Sequence, residues 1–173
     1  MSTFPGWRKY VVKQKRPLSG CVPWGYEIIL RAASVPGIDL QTFQDEFDFD
    51  KGLQSGQQPQ NNFQSVAEAI RQKYSQVAFG IREFPPGQGK DKLGLVEQHI
   101  EKGRPILVSL ALEPFGQQGW HIMPVVDATD DSLVLLHSVG DNGEPVTCEI
   151  RKSEFVRIHD EYQGGHDVAF LDM

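Results

Sequence analysis

The chain has 173 residues, of which 39% are hydrophobic and 23% charged, and its formal net charge is −6. Such a composition is ordinary for a globular domain, and the acidic balance argues against a surface for nucleic acid or anionic membranes. The sequence has no run of about 18 apolar residues and no apolar signal-peptide core at its start. We therefore expect a cytoplasmic protein without nucleic-acid or membrane partners; delivery as an effector and the oligomeric state stay open.

The first part of the chain predicts a short strand followed by helices. A strand pattern at 8–14 leads into a loop, and apolar residues then recur at helical spacing over 21–34. A shorter helix is expected from 39 to 47, with Asp39 as its N-cap. The stretch 50–62 is rich in Gln, Asn, Gly and Ser, and this composition predicts a mobile surface loop.

Two more helices and one strand complete this half of the chain. The apolar spacing predicts a helix over about 63–74 and a strand at 76–84, followed by a Pro- and Gly-rich turn at 85–89. A further helix is expected over about 91–102, because Gly103 directly after it is a favourable C-cap.

From residue 104 the pattern changes to strands separated by turn residues. The predicted strands are 105–110, 121–128, 133–137, 146–150, 155–158 and 168–171. Helices followed by antiparallel strands predict an α+β fold. We expect one domain over 1–173, in which a helical half of about 1–103 packs on a β-rich half of about 104–173.

The two cysteines do not make a disulfide framework, and their settings differ. Cys21 follows Ser19 and Gly20 and opens a predicted helix. The free amides and positive end of a helix favour a thiolate, so this position predicts a nucleophile with a lowered pKa. A buried structural cysteine is the alternative, and Cys148, in an alternating strand pattern, is expected to pack as an inert side chain.

His121 begins a predicted strand directly after Gly119 and Trp120. A neutral imidazole next to a thiol can take its proton and later protonate a leaving amine. A histidine satisfied in the core or on the surface is the alternative. Four aromatic side chains could line a substrate cleft or form the core: Trp24, Tyr26, Phe115 and Trp120.

The sequences around the cysteine and the histidine are QKRPLSGCVP and WHIMPVVD. Together they resemble papain-like cysteine peptidases, in particular the bacteriocin-processing type that removes double-glycine leaders. The resemblance implies a papain-like fold and a hydrolase that cleaves a peptide or amide bond through an acyl-enzyme, with a peptide or protein as substrate and no cofactor. The histidines show no zinc-ligand spacing, and no phosphate-binding loop is present.

The resemblance also implies an oxyanion donor and a residue that orients the catalytic histidine. Gln14 matches the glutamine whose side-chain amide, together with the Cys21 backbone amide, stabilises the oxyanion. An Asp or Asn is expected at the end of the strand that follows the histidine, and His137 stands there instead. Either His137 or a nearby carboxylate orients His121, or the site is a weakened dyad. The carboxylate candidates are Asp127 and Asp141.

Two other functions share these residues. An acyltransferase or a deamidase on the same fold would pass through the same thioester. A catalytically inactive papain-like binding module is the second alternative, with His137 marking the loss of the triad.

Overall fold

In the computed structural model of the protein, which describes residues 6–16, 20–54, 56–162 and 164–172, six strands form one antiparallel sheet. The strands are β1 (Phe79–Glu83), β2 (Ile106–Ala111), β3 (Trp120–Ala128), β4 (Ser132–Val139), β5 (Pro145–Arg151) and β6 (Asp167–Leu171). Their order across the sheet is β1-β6-β2-β3-β4-β5, so that β2 and β3 lie near its centre. The helices are α1 (Cys21–Ala33), α2 (Phe43–Phe47), α3 (Phe63–Lys73), α4 (Gly89–Glu101) and α5 (Lys152–Glu161).

Helices cover both faces of this sheet. Tyr26 of α1 and residues of α2 and α3 pack against Leu107 on one face. Val96 of α4 and Phe155 of α5 pack against Val108 on the other. Successive residues of a strand point to opposite faces, so the alternating apolar residues of β2 serve both layers. The predicted α+β fold, with helices packed on an antiparallel sheet, is confirmed.

The two predicted halves interlock. Strand β1 belongs to the first half of the chain but pairs with β6 from the second. The strand predicted at 155–158 is wrong, because these residues lie in α5. Phe155, Ile158 and His159 are buried there at the three- and four-residue spacing of an amphipathic helix.

Two predictions near the N-terminus are also wrong. Trp7–Tyr10 form a 3₁₀ turn, and the residues after it up to 14 pair with no described strand. Asp39 does not cap α2, which begins at Phe43; its carboxylate instead accepts from the Gln41 amide (3.0 Å) and the Thr42 hydroxyl (3.2 Å). An aspartate that binds its own backbone two residues on forms a turn rather than a helix start.

None of the helices in the described ranges is long and apolar enough to cross a membrane.

Candidate active site

Helix α1 lies very close to the sheet, and this fixes the position of Cys21. A Cβ at Gly25 would lie 2.6 Å from a methyl carbon of Leu107 in β2, so only glycine permits this approach. The indole Nε1 of Trp24 donates to the Val12 carbonyl oxygen at 2.6 Å. These contacts hold the first turn of α1, and therefore the partly buried Cys21 side chain, beside β3.

Burial raises the pKa of the Cys21 thiol, and the nearby Asp48 carboxylate raises it further. The backbone amides of Cys21, Val22 and Ile122 act in the opposite direction, as a helix start should, but their effect is smaller. The predicted lowering of the Cys21 pKa is therefore wrong. The helix amides favour the thiolate as expected, and desolvation outweighs them.

Cys21 and His121 line one cavity of about 590 Å³, here called the thiol cavity. Its other walls include Ser109 and Ile122 of the sheet, Phe63 at the start of α3, and the side chains of the polar stretch 50–62. Within the described part of the chain no hydrogen bond joins the Cys21 and His121 side chains. Burial, and then the charge of His137, lowers the pKa of His121, so the shifts of both groups disfavour a thiolate–imidazolium pair.

His121 also lines a second cavity of about 360 Å³, here called the histidine cavity, together with Gln14, His137 and Cys148. Gln14 is not among the described residues that line the thiol cavity. Its side-chain Nε2 donates to the carbonyl oxygen of Arg16 at 2.7 Å. The structure thus brings Gln14 and His137 to one cavity with His121, and Cys21 is not among the described residues that line that cavity.

His137 lies at an irregularity of β4, where the pairing with β5 shifts between Leu136 and Ser138. Its exposed ring stands 6.2 Å from the His121 ring between centroids, and its Nδ1 lies 3.3 Å from the Ser138 hydroxyl oxygen. The two histidines are neighbours without a hydrogen bond between them in the described residues. The orienting role of His137 stays a prediction.

The structure places both carboxylate candidates in contacts with other groups. Asp127 lies six residues further along β3, about 20 Å away at strand spacing, and accepts a hydrogen bond from the Ala128 amide (2.8 Å). Asp141 is 94% exposed in the turn after β4 and forms an ion pair with Lys13.

Cys148 does not pack as an inert side chain. It is exposed on β5 and lines the histidine cavity. The strand pattern around it is correct, but β5 is the edge strand of the sheet, and only Ile150 among its residues is buried.

Two buried carboxylates that sequence reasoning missed hold the stretch predicted to be a mobile loop. Asp50 accepts from the backbone amides of Gln60 (2.6 Å) and Asn61 (2.8 Å), and Asp48 accepts from the Asn61 side-chain amide (2.7 Å). The ends of the stretch are therefore tied together, and its side chains line the thiol cavity. The sequence pattern that could have indicated this ordered stretch is the pair of aspartates, Asp48 and Asp50, directly at its start.

Asp48 also reaches the loop that precedes the cysteine. Its Oδ2 lies 3.4 Å from an Arg16 guanidinium nitrogen, and a Cβ at Gly20 would lie 3.3 Å from the same oxygen. Gly20 thus allows the carboxylate to approach Cys21. The predicted Ser19 contribution to this loop lies outside the described residues.

The four aromatic candidates divide into two pairs. Trp24 and Tyr26 are fully buried core residues, whereas Trp120 and Phe115 are 62% and 49% exposed. Trp120 lines the thiol cavity and Phe115 the histidine cavity. In the described ranges, no group of three or more His, Cys, Asp or Glu side chains is arranged to hold a metal ion.

No protein-family model matches the sequence, and no curated protein matches it. The fold is similar to a crystal structure from Bacillus anthracis whose protein is named, provisionally, a C39-like peptidase. The TM-score is 0.55 at 10% sequence identity, over 94% of this chain and 92% of that one. At this identity the likeness concerns the fold, and it supports the papain-like α+β fold implied by the sequence resemblance.

Proposed function

We propose that this protein is a papain-like cysteine peptidase that cleaves a peptide or amide bond through an acyl-enzyme on Cys21. The observation that carries the proposal is the shared cavity. A cysteine at the start of a helix and a histidine at the start of a strand line one 590 Å³ space, in a fold similar to that of a C39-like peptidase. We expect the substrates to be cytoplasmic peptides or proteins, and the removal of double-glycine leaders is the narrower form of this proposal.

The proposed chemistry starts from a neutral pair. The raised pKa of Cys21 and the lowered pKa of His121 both disfavour a resting thiolate–imidazolium pair. His121 therefore takes the thiol proton as Sγ attacks the substrate carbonyl carbon, acting as a general base in the attack itself. It then gives this proton to the leaving amine as the C–N bond breaks, and a water molecule hydrolyses the thioester with His121 again as the base.

Two further residues have roles in this proposal. The Cys21 backbone amide and the Gln14 side chain donate to the oxyanion of the tetrahedral intermediate. The Gln14 amide group carries a second hydrogen besides the one that binds Arg16, and this second hydrogen is the proposed oxyanion donor. His137 orients the His121 ring, which requires the two rings to approach from their present 6.2 Å.

The absence of a hydrogen bond between Cys21 and His121 within the described residues favours one alternative, an inactive binding module. A peptide library incubated with the full chain and read by mass spectrometry decides between them. We expect cleavage by the parent and by Cys148→Ser, and none by Cys21→Ser or His121→Ala. A peptide that binds the parent and is never cut would support the binding module and overturn the peptidase.

A further inference from the structure

Three residues that line the thiol cavity stand in one row across the sheet. Ser109 of β2 pairs with Ile122 of β3. The pairing of β2 with β6 joins Val108 to Val168, and the same register continued by one residue places Asp167 beside Ser109. Directly paired residues of neighbouring strands point to the same face of a sheet. Ile122, Ser109 and Asp167 therefore form a continuous floor.

This floor leads away from the thiol towards the edge of the sheet. The Ile122 amide lies close enough to Cys21 to favour its thiolate, so the proposed nucleophile stands at the Ile122 end of the floor. Two strand spacings place Asp167 roughly 10 Å from Ile122. An extended peptide advances about 3.3 Å per residue, so Asp167 is within reach of a substrate side chain up to about three residues from the scissile bond.

The far end of the floor is Asp167, and a second carboxylate stands beside it, outside the described residues that line the thiol cavity. Glu83 of β1 pairs directly with Asp167. Burial and then the Glu83 charge raise the pKa of Asp167, as expected for two carboxylates on directly paired residues. Among the described residues neither carboxylate accepts a hydrogen bond or forms an ion pair. Two like charges held side by side are an unfavourable arrangement that a bound cation would relieve.

Lys92 and, to a smaller extent, His166 lower the pKa of Asp167, but within the described part of the chain neither forms an ion pair with it. Lys92 is fully buried, and its ammonium group donates to the carbonyl oxygens of Ser109 (2.9 Å) and Gly165 (2.8 Å). Burial lowers the pKa of Lys92 to about 7. The lysine therefore offsets the two carboxylates only in part.

We infer that Asp167 and Glu83 form an acidic subsite that selects a lysine or arginine side chain of the substrate close to the scissile bond. The inference rests on the proposed peptidase function and names its substrate class. The partly buried Asp167 contributes most of the selectivity, because a charge pair gains strength away from solvent. The exposed Glu83 contributes less, and its share falls as salt is added.

Peptidyl vinyl sulfones that differ in one side chain test this subsite. The full chain is treated with three sets of such probes, one set for each of the first three positions from the electrophile, and each set carries lysine, norleucine or glutamate at its position. The rate of Cys21 modification is followed by intact-protein mass spectrometry at about pH 8, well above ordinary carboxyl pKa values. We expect the lysine probe to react about tenfold faster than the norleucine probe at one position, and the glutamate probe to react slowest.

Substitutions then assign the preference. Asp167→Asn should remove most of the preference for the lysine probe, and Glu83→Gln should remove a smaller part. Asp167→Lys should reverse the preference, so that the glutamate probe reacts faster. Glu68→Gln is the matched control, because it removes an exposed charge on α3 that lines neither cavity, and it should keep the preference. If Asp167→Asn does not fold, the exposed Glu83→Gln still shows whether the preference falls.

The ways in which the two proposals can fail are distinct. Equal Cys21 labelling by the lysine, norleucine and glutamate probes at every position, with peptide cleavage intact, would overturn the acidic subsite and leave the peptidase proposal standing. A preference that survives both Asp167→Asn and Glu83→Gln would likewise overturn the subsite alone. If no peptidyl probe labels Cys21 faster than Cys148, the peptidase proposal is wrong, and the subsite is overturned with it.

Discussion

The two cavities that meet at His121 divide the candidate residues between them. The thiol cavity holds Cys21 and is walled by the polar stretch that Asp50 ties together. The histidine cavity holds Gln14, His137 and the exposed Cys148. Among the described residues, only His121 lines both cavities. The proposed catalysis therefore needs groups that line two cavities beside one imidazole to act on the same carbonyl group, and each prediction below tests part of that arrangement.

The largest effect is expected from the histidine cavity. Gln14→Ala should lower kcat by about 100-fold with KM nearly unchanged, because an oxyanion donor acts most strongly in the transition state. Steady-state kinetics on a cleaved peptide measure this. Gln117→Ala alters a second glutamine of the same cavity and should leave kcat close to that of the parent. Equal kcat values for Gln14→Ala and the parent would make Gln14 an ordinary loop residue.

Loss of the hydrogen bonds that hold the polar stretch in the wall of the thiol cavity should lower the stability of the protein. Asp50→Asn weakens two hydrogen bonds to backbone amides from a buried position and should lower the free energy of unfolding by about 1–3 kcal/mol. Denaturant unfolding measures the change. The matched control is Asp91→Asn on α4, an exposed position that should shift stability by less than about 0.5 kcal/mol. If Asp50→Asn is as stable as this control, the polar stretch is not held by its carboxylate.

The two cysteines, one in each cavity, should differ in their rates of alkylation. Iodoacetamide at neutral pH should modify the exposed Cys148 about tenfold faster than Cys21, because burial raises the pKa of Cys21. The Cys21 rate should rise with an apparent pKa above the ordinary value of about 8.5. Peptide mapping after alkylation at several pH values measures both. A Cys21 profile with a midpoint below about 8.5 would show that the helix amides outweigh burial after all.

The smallest effect concerns the imidazole that joins the cavities. Burial and the His137 charge lower the pKa of His121, so the base stays neutral below the ordinary histidine pKa of about 6.5. The acid limb of kcat/KM should therefore lie below that value. His137→Asn removes a positive charge, which raises the His121 pKa and should move the limb up by a few tenths of a unit. A limb that does not move would show that His137 does not act on His121 through its charge.

Local patterns were sufficient for much of the fold. The helix predicted at 21–34 corresponds to α1, and the strand predicted at 121–128 corresponds to β3. Both are recognised by periodicity within one segment. The strand predicted at 155–158 is α5, because four apolar-rich residues do not separate a buried helix from a strand.

The sequence by itself determined where the two proposed catalytic residues stand: a cysteine at a helix start and a histidine at a strand start, both recognised by local periodicity. Tertiary structure decided their electrostatics. The Cys21 pKa depends on Asp48 and on the amide of Ile122, which are far from it in sequence, and on how much water the surrounding elements exclude. It also decided that Gln14 and Cys21 line different cavities. These are properties of packing between distant segments, which no spacing within one segment encodes.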